Sequence, residues 1–372
     1  MNSKISIVRC KSYDPSLILA ATRNAFDLIG GINNYIRPKS KVLVKPNLLM
    51  AKEPEFGITT HPEVVRAVVK ILKEIHCKIF IGDSPSAWGN QVENVEEVYV
   101  RTGVKRIAQE EGIEIVKFDK RRWRGDFPLT TWLDSCDYLV SIAKFKTHDL
   151  TILTGAIKNL FGLVPDIHKM KLHLKYFDVK DFSRILVDIY EETKPALTII
   201  DGVMAMQGDG PATSGKLRDI GLLFAGVDCV ALDSILALIM GLKPYDILTN
   251  KEAAQRGLGI ADINSIQILG EKLENIIGGP FKLPTTSIKK KIPRPIIHIA
   301  KRLIRFFPKV NHHNCTQCGA CIQACPTKVM SMKNNRIVIN YSRCIFCFCC
   351  QEVCPSTAIN IEKSLIAKLL KL

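Results

Sequence analysis

Nine of the 13 cysteines in this 372-residue sequence fall between Cys315 and Cys354. The stretches CTQCGACIQACP (315–326) and CIFCFCCQEVCP (344–355) share the pattern C-x2-C-x2-C-x3-C-P, and every position repeats at an offset of 29 residues. The sequence begins without a secretory signal, so dense cysteines indicate a metal site rather than a disulfide framework. Zinc sites usually pair two C-x2-C units across a longer gap, whereas three thiolates from one tight loop and a fourth from elsewhere suit an iron–sulfur cubane. The spacing therefore predicts iron–sulfur clusters, with zinc as the alternative.

Residues 311–361 resemble a bacterial-type 2[4Fe-4S] ferredoxin domain, in which the fourth cysteine of each motif serves the other cluster. The resemblance implies two [4Fe-4S] clusters and two ligand sets: Cys315, Cys318, Cys321 and Cys354 for the first, and Cys344, Cys347, Cys350 and Cys325 for the second. Cys349 lies outside the pattern. We expect it to be a packed bystander, and a redox-active or alternative ligand is the other reading.

The part of the chain before the cysteines is expected to use the electrons that the clusters transfer. Residues 1–280 alternate strand and helix patterns, which predicts an α/β domain with a largely parallel sheet, followed by a small α+β two-cluster ferredoxin domain. We place a basic connector at 281–311 and the ferredoxin domain, with a short helical tail, at 312–372. Helices are expected over 61–76, with Thr60 as the N-cap, and over 95–112. No dinucleotide or P-loop fingerprint follows any strand.

Polar side chains collect where the predicted strands end, and ligands of open α/β sheets bind beyond the carboxyl ends of the strands. We therefore expect one cationic crevice for an anionic small-molecule substrate, bound by Lys144, Lys146, Lys158 and Asn159. For the reaction, His148 or Lys45 would supply a proton, and Asp83 or Asp201 would orient the donors. A metal held by Asp83, Asp201, Asp209 or His148 is a further alternative.

Two other features are expected to serve this crevice. Thr154 and Gly155 open a predicted helix whose free N–H groups suit an anion. The Gly-rich stretch 202–216 is expected to be a lid loop over the substrate.

The net charge of +16 is concentrated near the end of the chain, where residues 281–372 carry 16 Lys and Arg against two acids, Glu352 and Glu362. Within this region a basic amphipathic helix is predicted over 296–307, ended by Pro308. It would pack on the large domain, lie on a membrane surface or dock an acidic electron-donor or acceptor protein. Nucleic acid is not expected as a partner, because no motif supports it. No stretch predicts a membrane span, and we expect a cytoplasmic protein.

The order of the segments VLVKPNLL, TTHPEVV, GDSP, AKFKTHDLTILTGAIKNLFGLVP, IDGVMAMQGDGP and VDCVALDS resembles the DUF362 family, whose members often end in a two-cluster ferredoxin tail. The resemblance implies an uncharacterised iron–sulfur protein and assigns no catalytic residue. Two hypotheses follow. The chain is an iron–sulfur oxidoreductase acting on an anionic substrate, or it is a non-catalytic electron carrier or redox assembly module that docks a partner protein.

Overall fold

The structure, a computed structural model, describes residues 3–85, 95–165, 168–176, 178–279, 281–287 and 306–364. The helices before residue 281 are α1 Pro15–Leu28, α2 Pro62–Glu74, α3 Val95–Arg101, α4 Val104–Glu110, α5 Trp132–Ser135, α6 Ala156–Asn159, α7 His168–Lys175, α8 Val179–Thr193, α9 Cys229–Ile239, α10 Leu248–Gln255 and α11 Leu273–Ile276. The strands of this part are β1 Ser3–Arg9, β2 Lys41–Pro46, β3 Lys78–Ile81, β4 Glu114–Ile115, β5 Arg121–Arg124, β6 Phe127–Thr130, β7 Tyr138–His148, β8 Ile152–Thr154, β9 Leu197–Gly208, β10 Gly215–Gly226 and β11 Ile266–Gly270.

One mixed sheet organises the large domain, with the strand order β11-β1-β10-β9-β7-β2-β3-β4 and β8 paired to β7. The run β9-β7-β2-β3-β4 is parallel, while β10 is antiparallel to both β1 and β9. The predicted largely parallel α/β domain is confirmed. The antiparallel pairs arise because β9 and β10 form a hairpin rather than a crossover.

Helices cover both faces of the sheet, because strand side chains alternate between two cores. In β2, Val42 and Val44 face the core that includes Val64 of α2, whereas Leu43 faces the core that includes Ile235 of α9. Each such side chain is fully buried, and burial of one is worth roughly 1.5–3 kcal/mol. The parallel strands are thereby fixed with their carboxyl ends at one edge.

Two details of the predicted helices were wrong. The helix expected over 95–112 is divided into α3 and α4 at Gly103, whose φ of 76° lies in the left-handed region and ends a helix. The N-cap of α2 is His61, whose ring nitrogen accepts from the Glu63 amide. Thr60 instead donates its hydroxyl to the Ile142 carbonyl at 2.7 Å, which ties the start of α2 to β7.

The C-terminal domain is a small two-fold repeat with short antiparallel strands, as predicted. Its strands are β12 Phe306–Val310, β13 Met330–Lys333, β14 Arg336–Ile339 and β15 Ile359–Lys363, and its two helices are Ala320–Gln323 and Cys349–Glu352. β12 pairs with β15 and β13 with β14. Left-handed residues recur at the offset of 29 in three pairs: Gln317 and Phe346, Gly319 and Phe348, and Lys328 and Thr357.

The basic helix predicted over 296–307 was wrong at its end, because Phe306 and Phe307 belong to β12. Pro308 is tolerated there since a two-stranded sheet leaves one edge of each strand without a ladder partner. Residues 288–305 and the helical tail predicted after 364 lie outside the described residues.

Candidate functional site

A cavity of about 70 Å³ lies at the carboxyl ends of β2, β3 and β7, where the sequence predicted a crevice. Six of the eight predicted site residues of the large domain line it: Lys45, Asp83, Lys146, His148, Lys158 and Asn159. α7 supplies Lys169, Met170 and His173, and the C-terminal domain supplies Glu352. The cavity is therefore shared between the two domains.

One wall of the cavity is a buried network around Lys45. Its ammonium contacts Asp83 at 2.9 Å, the Pro46 carbonyl at 2.9 Å and the Asn159 side-chain oxygen at 3.3 Å. Asp83 also accepts from the amides of Ser84 and Leu48. Since an ammonium has three N–H donors, these three acceptors use all of them. Lys45 and Asp83 therefore form a fully hydrogen-bonded ion pair in the wall, and their predicted roles in proton supply and orientation stay predictions.

Gly162 is where the chain passes closest to this ion pair. A Cβ at this position would lie 2.2 Å from a carboxylate oxygen of Asp83 and 2.6 Å from the Lys45 amine. No side chain fits there without displacing the pair. The glycine therefore permits the tight approach that closes this wall.

Lys146 and Lys158 bring positive charge into the cavity with little local compensation. The Lys146 amine is 1% exposed and donates to the Ile58 carbonyl at 2.6 Å. The Lys158 amine lies 5.6 Å from the centre of the Phe161 ring. Burial lowers the pKa of both lysines, and for Lys146 the pKa is well below its ordinary value. A bound anion would favour their charged forms.

His148 and Glu352 meet across the boundary between the domains, with Nε2 and Oε1 3.6 Å apart. The Nδ1 atom of His148 accepts from the amides of Leu150 and Thr151 at 3.1 and 3.4 Å. This atom therefore carries no proton, and the neutral ring holds its proton on Nε2, directed towards Glu352 and the cavity. Burial lowers the pKa of His148 well below its ordinary value and raises the pKa of Glu352 to about 7.

Lys144 and Asp201, also predicted for the crevice, do not line it. They pair at 2.8 Å in a fully buried network with Tyr13, whose hydroxyl donates to Asp201 at 2.8 Å. The Tyr13 ring stacks on His61 with ring centres 3.6 Å apart. Lys144 and Asp201 are register partners on β7 and β9, so their side chains pair with each other inside the protein rather than facing the cavity.

The helix N-terminus expected to bind an anion is already capped. Asp233 of α9 accepts from the amides of Ala156 and Ile157 at 2.6 and 3.1 Å. A Cβ on Gly155 would lie 2.0 Å from the Asp233 carboxylate, so this glycine makes room for the cap. The expectation was wrong, since the positive end of α6 is neutralised by the protein itself.

The stretch 202–216, predicted as a lid loop, is mostly the β9–β10 hairpin. Its tip holds the C-terminal domain. The Asp209 carbonyl accepts from the Gln351 amide at 3.2 Å, and the Thr213 hydroxyl donates to the Cys354 carbonyl at 3.1 Å. The tip also adds Pro211 to the cavity wall. Its role in the structure is to join the domains beside the cavity.

The alternative of a metal held by Asp83, Asp201, Asp209 or His148 finds no support in the described ranges. Within them, no three His, Cys, Asp or Glu side chains converge closely enough to hold a single ion. Asp209, for instance, binds the amide and hydroxyl of Thr285 at 2.6 and 3.0 Å.

The cysteines divide between the two motifs in a way that fits two cubanes. Cys354 of the second motif joins Cys315, Cys318 and Cys321 around a small cavity. Cys325 of the first motif shares a buried core with Cys344 and Cys350 of the second. Thiols spaced around a cavity suit a cluster with four irons better than one zinc ion. Backbone amides of Val329 and Ala358 point at Cys325 and Cys354, at 3.4 and 3.1 Å from sulfur.

Cys349 is buried and lies outside the core that contains Cys344, Cys350 and Cys354 of its motif. Its thiol is 4.0 Å from the Cys347 carbonyl. That Cys349 is a packed bystander stays a prediction, with a redox-active or alternative ligand as the other reading.

The sequence reasoning missed Glu352, the residue through which the C-terminal domain reaches the cavity. A signal existed, because Glu352 is one of only two acids among residues 281–372. Glu352 lies three residues before Pro355 in this basic segment. The equivalent position in the first motif is Gln323, so the acid is not part of the repeat. Lys169 and Met170 were also missed, since α7 carries no strand-end pattern.

Two protein families match successive parts of the chain. The family described as a domain of unknown function (DUF362) matches residues 42–237, and the family described as a 4Fe-4S dicluster domain matches residues 307–355. The second match, with the cysteine geometry, establishes an iron–sulfur protein with two [4Fe-4S] clusters. The thylakoid-associated protein sll1697 of Synechocystis is 35% identical over 267 residues, which cover 70% of this chain and 81% of that protein.

Two solved structures give weaker likenesses. A Thermotoga maritima protein has a TM-score of 0.34 at 12% identity, covering 54% of this chain. The lactate racemase apoprotein of Thermoanaerobacterium thermosaccharolyticum has a TM-score of 0.38 at 14% identity, covering 60% of this chain. This chain spans about half of each of those structures, 52% and 54%, and these likenesses carry no argument about function.

Proposed function

We propose that this chain, a member of the DUF362 family with a C-terminal 4Fe-4S dicluster domain, transfers electrons to an anionic small molecule bound in the shared cavity. The observation that carries the proposal is the position of Glu352. It lies between two cysteines of the second motif in sequence and lines the same cavity as Lys146, Lys158 and His148. An acceptor held in that cavity is therefore next to the cluster-binding loop.

The cavity favours an anion because its wall holds more amines than carboxyl groups. Lys45 is neutralised by Asp83, and Glu352 is the acid that remains to offset Lys146 and Lys158. A buried positive charge without a counterion costs free energy, because it loses its hydration. A negatively charged ligand would supply the stabilisation that water gives to an exposed charge. Phe161, Leu48 and Met170 add apolar wall beside the amines. A small anion with an apolar or unsaturated part fits this lining.

Each residue then has a distinct task in the proposed reaction. Lys146 and Lys158 hold the anionic group. His148 presents the Nε2 proton, fixed by the two amides that occupy Nδ1, to the acceptor as it is reduced. Lys45 and Asp83 keep the wall rigid rather than exchanging protons. The two [4Fe-4S] clusters supply electrons one at a time.

The proposal is tested in two steps on the holoprotein under anaerobic conditions. A panel of small carboxylates and phosphates is first screened for compounds that raise the melting temperature, with Lys158→Met as the matched variant. Compounds that stabilise only the wild type are then added to the dithionite-reduced protein, and visible absorbance reports reoxidation of the clusters. If anions neither stabilise nor reoxidise the protein, the carrier or docking-module hypothesis takes the place of this one.

The location of the protein in the cell stays a proposal. No helix among the described residues is long and apolar enough to cross a membrane. The Synechocystis relative is named a thylakoid-associated protein, so contact of this chain with a membrane surface is the alternative to a purely cytoplasmic protein.

A further inference from the structure

The two cysteine motifs share one backbone pattern but have opposite surroundings. In the first motif Thr316, Gln317 and Cys318 are exposed. Their counterparts in the second motif, residues 345–347, are half-buried. Gln351 and Glu352 are 1% and 6% exposed, whereas their counterparts in the first motif are half-buried. The second motif, which faces the large domain, is thus the more buried of the two.

Polar contacts between the domains gather on the buried side. Gln351 donates to the Asp209 carbonyl, the Cys354 carbonyl accepts from Thr213, and the Pro355 carbonyl accepts from Lys52 at 3.4 Å. Together with the approach of Glu352 to His148, they fix the second motif against the cavity. The first motif is then the side at which another protein can approach.

The hairpin β13–β14 forms the surface over the first cysteine cavity. Ile337 lines that cavity, and the cross-strand pairs Lys333–Arg336 and Ser331–Val338 alternate with it and face outwards. Val338 is 43% exposed. An exposed apolar side chain beside two cations is the composition expected of a weak electron-transfer interface.

The accessible charge on the C-terminal domain is strongly positive. Of the two acids among residues 306–364, Glu352 faces the shared cavity, and Glu362 pairs with Lys309 at 2.8 Å. The exposed cations are Lys309, Lys328, Lys333, Arg336 and Arg343. An acidic partner is therefore favoured in both encounter rate and orientation.

We propose that the outer face of the β13–β14 hairpin, with the loop 316–318, is the docking surface for an acidic one-electron carrier protein. Electrons enter at the first cysteine set and leave from the second, beside the cavity. This direction rests on the proposed function, whereas the docking surface does not.

The redox balance of the docking step is simple. Each encounter oxidises the reduced carrier by one electron and reduces the chain by one electron, without bond making or proton transfer at the hairpin. Two encounters supply the electron pair for a two-electron reduction in the cavity.

The test uses full-length holoprotein and a reduced plant-type [2Fe-2S] ferredoxin as the acidic probe, in stopped flow without any substrate. The variant is Lys333→Glu with Arg336→Glu. The matched control is Lys180→Glu with Lys251→Glu, which makes the same charge change at exposed positions of α8 and α10. Electron paramagnetic resonance after dithionite reduction confirms that both clusters are intact in each protein.

We expect the hairpin variant to lower the second-order rate of reduction about tenfold or more at low ionic strength, with the difference vanishing at high salt. The control should change the rate less than threefold. Equal rates of reduction for the two variants would overturn the docking surface. It would also be overturned if the hairpin variant lost binding to anionic phosphatidylglycerol vesicles while its electron transfer was unchanged, because the hairpin would then bind lipid. Failure of the cavity to bind an anion leaves this outcome unaffected, so the two proposals fail separately.

Discussion

Lys144 and Lys146 lie two residues apart on β7, yet the structure gives them different tasks, and substituting each by Met separates them. Lys144 pairs with Asp201 at 2.8 Å, and both side chains are fully buried. Lys146 has one backbone carbonyl as its hydrogen-bond acceptor within the described residues. We therefore propose that the first lysine maintains the fold and that the second binds an anion in the cavity.

The expected size of each effect follows from what remains buried. Lys144→Met leaves the Asp201 carboxylate without its cation, and breaking a buried pair this way costs about 3–5 kcal/mol. Asp201 keeps donors from Tyr13 and the amides of His61 and Val203, so we expect about 3 kcal/mol, near the lower end. Lys146→Met trades one charge-assisted hydrogen bond against removal of a buried, poorly compensated amine, so we expect a change within about 1 kcal/mol.

Urea unfolding followed by tryptophan fluorescence measures the first effect, since all three tryptophans, at 88, 123 and 132, belong to the large domain. A loss of about 3 kcal/mol moves the midpoint by roughly 1 M urea. Melting with and without a stabilising anion measures the second effect. Saturation at about 100 times Kd adds roughly 2.7 kcal/mol, which Lys144→Met should retain and Lys146→Met should lose. Equal destabilisation by the two variants, or anion binding lost only in Lys144→Met, would refute the separation of roles.

Three further predictions concern the cavity and the cysteines. Gly162→Ala should destabilise the protein by about 2 kcal/mol and abolish anion binding, because the added methyl group would displace the buried ion pair. The control is Gly279→Ala, where an added Cβ meets nothing within 4 Å. In the same melting assay this control should show neither effect. Cys354→Ser should alter the paramagnetic signal of the cluster held by the first motif, despite its place in the second, whereas Cys349→Ser should leave iron content and both signals unchanged. Burial lowers the pKa of Lys146 and Lys158, so anion binding should take up protons and weaken as pH rises through the pKa values of the bound state. Calorimetry at pH 6 and pH 9 in buffers of different ionisation enthalpy tests this, and tighter binding at the higher pH contradicts it.

The periodicity of the sequence was sufficient for the two domains and for the cysteine pattern. Four thiolates at this spacing suit few kinds of metal site. The offset of 29 residues reappears in the structure as three pairs of residues with left-handed backbone conformation. Strand-end reasoning also found the cavity. It rests on a general property of parallel sheets, that their carboxyl ends meet at one edge.

The errors came from contacts between distant parts of the chain, which local patterns do not contain. The length of β9 depends on pairing with β10, so Asp201 could not be recognised as an internal strand residue. The cap on α6 comes from Asp233, 77 residues away from Ala156. The position of Glu352 depends on how the second motif packs on the hairpin tip at Asp209.

The most direct test of the central claim is the single-turnover reoxidation of the reduced clusters by a stabilising anion, compared in wild type and Lys146→Met. Dithionite reduction must first give the same paramagnetic signals in both proteins, which shows that the relay is intact. We predict rapid reoxidation of the wild type and a loss of at least a hundredfold in rate in the variant at subsaturating anion. Reoxidation at equal rates in the two proteins would contradict the account, because electrons would then reach the acceptor without the cavity.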